Sequence, residues 1–215
     1  MKKLINKLKD LKKAGVHIIP MLLNFIYWKL RFRVNILAKQ GTKIKGLSRI
    51  IADRLEIATL YNGLLHGNEK TTIRVAKNGF FQTFQRCFIG QGCIIDVAEN
   101  ATLILDDNVI NKNTQIHCSG IITIFQGTRI SFDCLIMDTD FHEVDYQGKK
   151  EKENKITICH NCLIGAKVTI LKSTFIAPNC VVAAGSVVRG TFDKPNCLIA
   201  GNPARVIKEN ITWKP

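Results

Sequence analysis

The sequence contains no unbroken apolar run of the roughly 20 residues that a helix needs to cross a bilayer. The best candidate, Val16 to Trp28, is interrupted by His17, Pro20 and Asn24. No small-residue cleavage site follows it, so it does not read as a secretion signal either. A soluble, cytoplasmic protein is expected, with its eight cysteines kept as reduced thiols. Acids are scarce at the N-terminus. Residues 1–40 hold one, Asp10, against ten basic residues, so this segment carries +9 of the formal +14. Such an excess suits a polyanionic partner: nucleic acid, a membrane surface or a phosphorylated cofactor. No DNA- or RNA-binding motif accompanies the charge, which ranks nucleic acid low. With 46% hydrophobic and 22% charged residues over 215 positions, the chain reads as a folded protein with one good-sized core.

A six-residue period organises the rest. Ile158, Ile164, Ile170, Ile176, Val182 and Val188 recur without a miss. Four residues after each of the first five stand Cys162, Val168, Thr174, Cys180 and Ser186. An earlier run, Ile104, Ile110, Ile116 and Ile122, has the same spacing, and a two-residue slip leads to Ile124, Ile130 and Ile136. Six does not match the helical repeat of about 3.6, and packed helices would scatter these residues around their axes. It does suit short strands joined by tight turns, each with one large apolar residue pointing inward. Three such strands close a triangular coil, and coils stack at about 4.8 Å. No coil buries its own face, so neighbours stabilise one another. Cys134, Cys162 and Cys180 all fall where a small side chain must fit a corner. Cys159 and Cys162 form a C-x-x-C, but no second pair at ligand spacing accompanies it, so packing is preferred to zinc or redox chemistry.

The period fails between Ile136 and Ile158. The polar, charged segment 138–155 should leave the prism as a loop, and a long loop on a regular scaffold points to function. The ends differ in kind. Residues 1–40 form a basic amphipathic segment, with Leu4, Leu8 and Leu11 on one helical face and Pro20 opening a second helix at its first position. In that helix Leu23, Ile26, Leu30, Val34 and Leu37 make a stripe, widened by Tyr27, Trp28 and Phe32. Residues 41–200 form the body, beginning with weakly patterned opening coils over 41–85, and 201–215 form a turn and a basic tail. The favoured role of the stripe is to cover the exposed end of the solenoid. The alternative is contact with the inner membrane surface.

Among the five histidines, His17 and His66 lie in the first segment and the opening coils, where solvated or structural roles are expected. His160 belongs to a coil turn, and His117 faces outward from a strand. His142 alone stands in the interrupting loop, flanked by acids.

Residues 156–208 resemble the hexapeptide-repeat acetyltransferases. The matching stretches are Ile-Thr-Ile-Cys-His-Asn-Cys-Leu-Ile-Gly-Ala (156–166), Val-Val-Ala-Ala-Gly-Ser-Val-Val (181–188) and Gly-Asn-Pro-Ala-Arg-Val-Ile-Lys (201–208). With the earlier coils, the likeness spans roughly residues 84–209. Cys159 and Phe125 depart from it, standing where relatives often carry Gly. The resemblance implies an all-β, left-handed parallel β-helix that assembles as a homotrimer with active sites at subunit interfaces. It implies acetyl-CoA as co-substrate, a hydroxyl of a saccharide as acceptor, and no metal. Within the family, the context is most similar to enzymes modifying capsular or lipopolysaccharide sugars.

Acetyl transfer to an alcohol needs a base for the hydroxyl proton. Imidazole suits that role, since its ordinary pKa of about 6.5 leaves it mostly neutral at cytosolic pH. The family's catalytic histidine lies where His142 stands, after a coil and ahead of the I-G motif. Asp138 and Asp140 either orient that imidazole or solvate the loop. Asn113 lies near the family's acceptor-binding asparagine, and His117 is a supporting candidate. Ala166, Ala184, Arg189 and Gly190 match positions lining the pantetheine groove. Arg205 and Lys208 match the basic tail that meets the CoA phosphates. An amino-sugar N-acetyltransferase stays open beside this reading. A γ-type carbonic anhydrase, using His117, His142 and His160 as zinc ligands, and a non-catalytic assembly module rank below it.

Overall fold

The computed structural model describes residues 17–59, 69–143, 145, 147–148 and 153–214. Short strands follow one another from Ile36–Ala38 to Leu198–Gly201, each pairing in parallel with strands one coil away. The result is a parallel β-helix with three faces. The first face is a seven-stranded sheet containing Ile94–Val97, Gln115–Cys118, Leu135–Met137, Thr169–Ile170 and Val187–Val188. The other two faces share a fourteen-stranded sheet. Its second-face strands include Thr102–Asp106, Ile121–Ile124, Lys155–Ile158 and Thr174–Ile176. Its third-face strands include Val109–Ile110, Arg129–Ile130, Leu163–Ile164 and Val181–Val182.

The register turns the six-residue period into three columns. Ile95, Ile116, Ile136, Ile170 and Val188 stack behind the first face. Ile110, Ile130, Ile164, Val182 and Ile199 stack behind the third. Leu105, Ile124, Ile158, Ile176 and Phe192 stack behind the second. All are buried, and each such side chain contributes about 1.5–3 kcal/mol on leaving water. Two phased residues, Ile104 and Ile122, stand outside these columns. Ile104 is half-buried and points outward, between the buried Leu103 and Leu105. The inward residues on that strand alternate about it, so the step to Ile110 runs from Leu105. Ile122 and Ile124 lie two apart on one strand and both point inward; the slip is an added inward residue, not a broken coil.

The corners take the small residues as expected. Cys134, Cys162 and Cys180 are buried there, and burial pushes the Cys162 thiol up to about 12. Several corners adopt a left-handed backbone, at Asn113, Asn161, Asn179 and Asn196 with φ between 54° and 60°. Asparagine is among the few side chains that tolerate this.

Helix α1, Ile18–Phe32, packs on the N-terminal end of the prism. It starts two residues before Pro20, which is therefore not its first position; any first-turn position can lack an N–H at little cost. The expected stripe does not face the prism. Met21 is buried and Trp28 and Phe32 pack on the core, whereas Leu23, Ile26 and Leu30 are exposed. The helix ends at Arg33, whose φ is 57°, so Val34 and Leu37 continue on extended chain and cannot prolong a helical stripe. Residues 1–16, with Leu4, Leu8 and Leu11, and His66 lie outside the described residues. At the other end, the expected tail folds back as a strand, Ala204–Lys208, antiparallel to Leu198–Gly201.

Candidate active site

The interrupting loop leaves the corner between the first and second faces, after Met137, and returns at Lys155. Asp138 begins it and is fully buried. Its carboxylate accepts the backbone N–H of Ser119 at 2.6 Å and of Gly120 at 2.8 Å. The Cys118 thiol lies 3.8 Å away. These partners form the same corner one coil earlier, so Asp138 pins the base of the loop to the prism and is not a solvated loop acid. Burial pushes its carboxyl above the ordinary value, and the two N–H donors offset part of that shift. Asp140 pairs with Lys172 Nζ at 2.8 Å, which ties the loop to the coil below.

His142 follows and is exposed. Phe141, with φ 57°, sets its ring edge-on to the His117 ring, with centroids 5.9 Å apart. His117 Nε2 lies 3.1 Å from Gln115 Oε1, an arrangement satisfied by an imidazole N–H donating to the amide oxygen. Arg189 and Gly190 occupy this same corner further along the prism, Arg189 exposed.

The opposite border of the first face carries the other set. Asn113 turns this corner, and Gly165, Ala166 and Ala184 follow along it. Gly185 N–H donates to Ala166 O at 2.9 Å. A Cβ on Gly165 would lie 2.6 Å from the Ala184 nitrogen, so close stacking of the coils requires glycine there. The exposed Ala184 leaves the surface flat. Gly201 N–H donates to Ser186 Oγ at 3.2 Å, which docks the last turn on this border. Arg205 follows, exposed, its Nη1 donating to Ala204 O at 2.7 Å. Lys208 is exposed as well.

The expected residues therefore divide between two borders of one face. His142, Asp138, Asp140, His117, Arg189 and Gly190 lie toward one; Asn113, Ala166, Ala184 and Arg205 lie toward the other. At about 3.3 Å per residue the two are roughly 15–20 Å apart. His160 sits at the third corner, away from both. That corner also holds the large groove of about 670 Å³ lined by Asn161, Asn179, Asn196, Gln126 and Trp213, to which none of the expected site residues contributes. Among the described residues no three His, Cys, Asp or Glu side chains are grouped as metal ligands.

Lys172, Phe141 and Gln115 were not singled out from the sequence. Gln115 was findable, since it lies two residues from His117 and shares its side of the strand. Lys172 was not, because coil stacking alone brings it to Asp140.

No protein-family model matches the sequence. The chain is 36% identical over 217 residues to a Klebsiella pneumoniae protein described as an uncharacterized 24.8 kDa protein in cps region, spanning 99% of this chain and 98% of that one. The chain belongs to that protein's family. Among solved structures, the polySia specific acetyltransferase NeuO is similar with a TM-score of 0.65 at 22% identity, over 84% of this chain and 82% of its own. A variant of AntD, an N-acyltransferase from Bacillus cereus, in complex with dTDP-4-amino-4,6-dideoxyglucose and coenzyme A, is similar with a TM-score of 0.52 at 16% identity, over 84% and 82%. These likenesses are of fold. The prism is the left-handed parallel β-helix that the hexapeptide resemblance implies. Among the described residues no helix is long and apolar enough to cross a membrane.

Proposed function

We propose that the chain transfers the acetyl group of acetyl-CoA to a saccharide hydroxyl, in the cytoplasm, with His142 as general base. The observation that carries this reading is the division of one face into two complementary borders. One presents an exposed imidazole on a loop pinned by Asp138 and braced by the Asp140–Lys172 pair. The other is flat and small-residued, ending at Arg205, with Lys208 further along the same strand, opposite Leu198. Its shape suits a pantetheine arm lying along Ala166 and Ala184, with the two cations near the CoA phosphates. Since the borders lie apart in one chain, the site is completed by a second copy whose flat border meets the loop. A closed trimer does this three times with a single type of contact. In that assembly Arg189 and Gly190 of one copy join Ala166 and Ala184 of the next in one groove.

In the reaction, His142 takes the hydroxyl proton as the oxygen attacks the thioester carbonyl. The CoA thiolate leaves as the tetrahedral intermediate collapses and receives the proton from the imidazolium. In this reading His117, beside the loop, and Asn113, from the flat border of the neighbouring copy, contact the acceptor. The saccharide acceptor draws support from the fold shared with NeuO and AntD and from the family relative's place in a cps region.

The test is release of free CoA thiol from acetyl-CoA with a panel of oligosaccharides and nucleotide sugars, hydroxyl-only and amino-bearing. Acceptor-dependent release with hydroxyl-only sugars is expected, and His142→Ala should lower kcat about 10²–10⁴-fold. Release only with amino-bearing sugars would make the enzyme an N-acetyltransferase. Near-normal turnover by the variant would remove His142 from the role of base.

A further inference from the structure

Helix α1 has two apolar arcs. At about 100° per residue, Met21, Phe25, Trp28 and Phe32 fall together on the inner side, where Met21 is buried and Trp28 and Phe32 pack on the core. Ile19, Leu22, Leu23, Ile26, Tyr27 and Leu30 fall on the opposite side and are exposed, from 45% at Leu22 to 79% at Leu30. Capping the β-helix therefore uses one arc and leaves the other facing outward. An apolar arc of this kind is not needed for the cap, and it is costly in water.

The margins of the outer arc are cationic. Lys29 borders it on one side and Arg31 on the other, and Arg33 follows at the helix end. No acid occurs from residue 11 to residue 52, and residues 1–16 add six lysines against one aspartate. The two cations also lie over aromatic rings, Lys29 Nζ 5.8 Å from the Phe25 centroid and Arg31 Cζ 5.3 Å from that of Phe32. Those rings belong to the inner arc, so both stems lie along the flanks of the helix, between the two arcs.

We infer that the outer arc of α1 is a docking surface for an anionic lipid bilayer. The helix would lie in the plane of the interface, with Leu22, Leu23, Ile26 and Leu30 among the acyl chains, Tyr27 at the headgroup level and the cations on lipid phosphates. Burial of the arc and attraction of the cations act together in such helices. The charge selects this occupant over a second copy of the chain, because two identical outer arcs would bring Lys29, Arg31 and Arg33 against their own kind. The surface is separate from the proposed transfer site and does not depend on that chemistry. Its place at one end of the prism leaves both borders of the first face open while the enzyme is attached.

The experiment is co-sedimentation of the full chain with vesicles of phosphatidylglycerol and phosphatidylcholine, compared with phosphatidylcholine alone. Binding to the anionic vesicles is expected. It should weaken as ionic strength rises from about 0.1 M to about 1 M, where the Debye length falls from about 10 Å to about 3 Å. The variant Leu23→Gln, Ile26→Gln, Leu30→Gln should keep its circular dichroism and elution volume, since these side chains are exposed, and bind at least about tenfold more weakly. Full-length protein that stays in the supernatant with both vesicles would overturn the inference. So would a triple variant that binds normally, or one whose elution volume shows a smaller oligomer, which would make the arc a contact between copies.

Discussion

Asp138 holds the loop because its two oxygens satisfy two buried backbone donors, those of Ser119 and Gly120. Asparagine has the same shape but presents one acceptor and one N–H₂ group, so Asp138→Asn leaves a buried donor unpaired. The expected cost is about 1–3 kcal/mol in urea unfolding. The carboxyl is held above its ordinary value by burial, so the folded state binds this proton more tightly than the unfolded state. Its contribution is complete below the ordinary carboxylate value and is lost as pH rises through the raised one. The stability gap between the native chain and the variant should therefore narrow as pH rises across the carboxylate range and beyond. A gap that widened with pH would contradict this assignment. The role itself was not legible in the sequence, where Asp138 and Asp140 stood alike, either as partners for the imidazole or as solvated loop acids. Asp138 differs because it stands at the last inward-facing position before the chain leaves the coil, which depends on the exact end of a strand.

At the scale of the element, the six-residue period located nearly all of the core, because one inward side chain per short strand is a strong and repeated constraint. It failed at Ile104, where the strand Thr102–Asp106 is long enough to bury both Leu103 and Leu105 and turn Ile104 outward. Truncation separates the two readings: Leu105→Ala should cost about 2–5 kcal/mol by loss of burial and a residual cavity, and Ile104→Ala much less. Equal losses would restore Ile104 to the core. Helix α1 failed for a different reason. Both of its arcs are apolar, so periodicity finds the helix but cannot choose the buried face. The choice falls to Arg33, whose left-handed turn sends Val34 and Ile36 into the prism and leaves Leu23, Ile26 and Leu30 outside.

On the scale of the whole molecule, the loop was legible because it interrupts a regular repeat, and His142 because it is the one histidine in that interruption. The division of the other candidates between two borders was not, since a linear motif does not say which corner of a triangular coil each residue occupies. Ala184 and Arg189 are close in sequence yet lie on opposite borders of the first face. That division leads to the central claim, that base and cofactor groove come from different copies. The most direct test uses two inactive chains, His142→Ala and Ala184→Trp, the second filling the flat border at an exposed position. Each alone should lose most acceptor-dependent thiol release. Co-expressed with different tags and purified through both, mixed trimers should recover one working site in three, about a third of native activity. Mixed trimers no more active than either variant alone would contradict a site shared between copies.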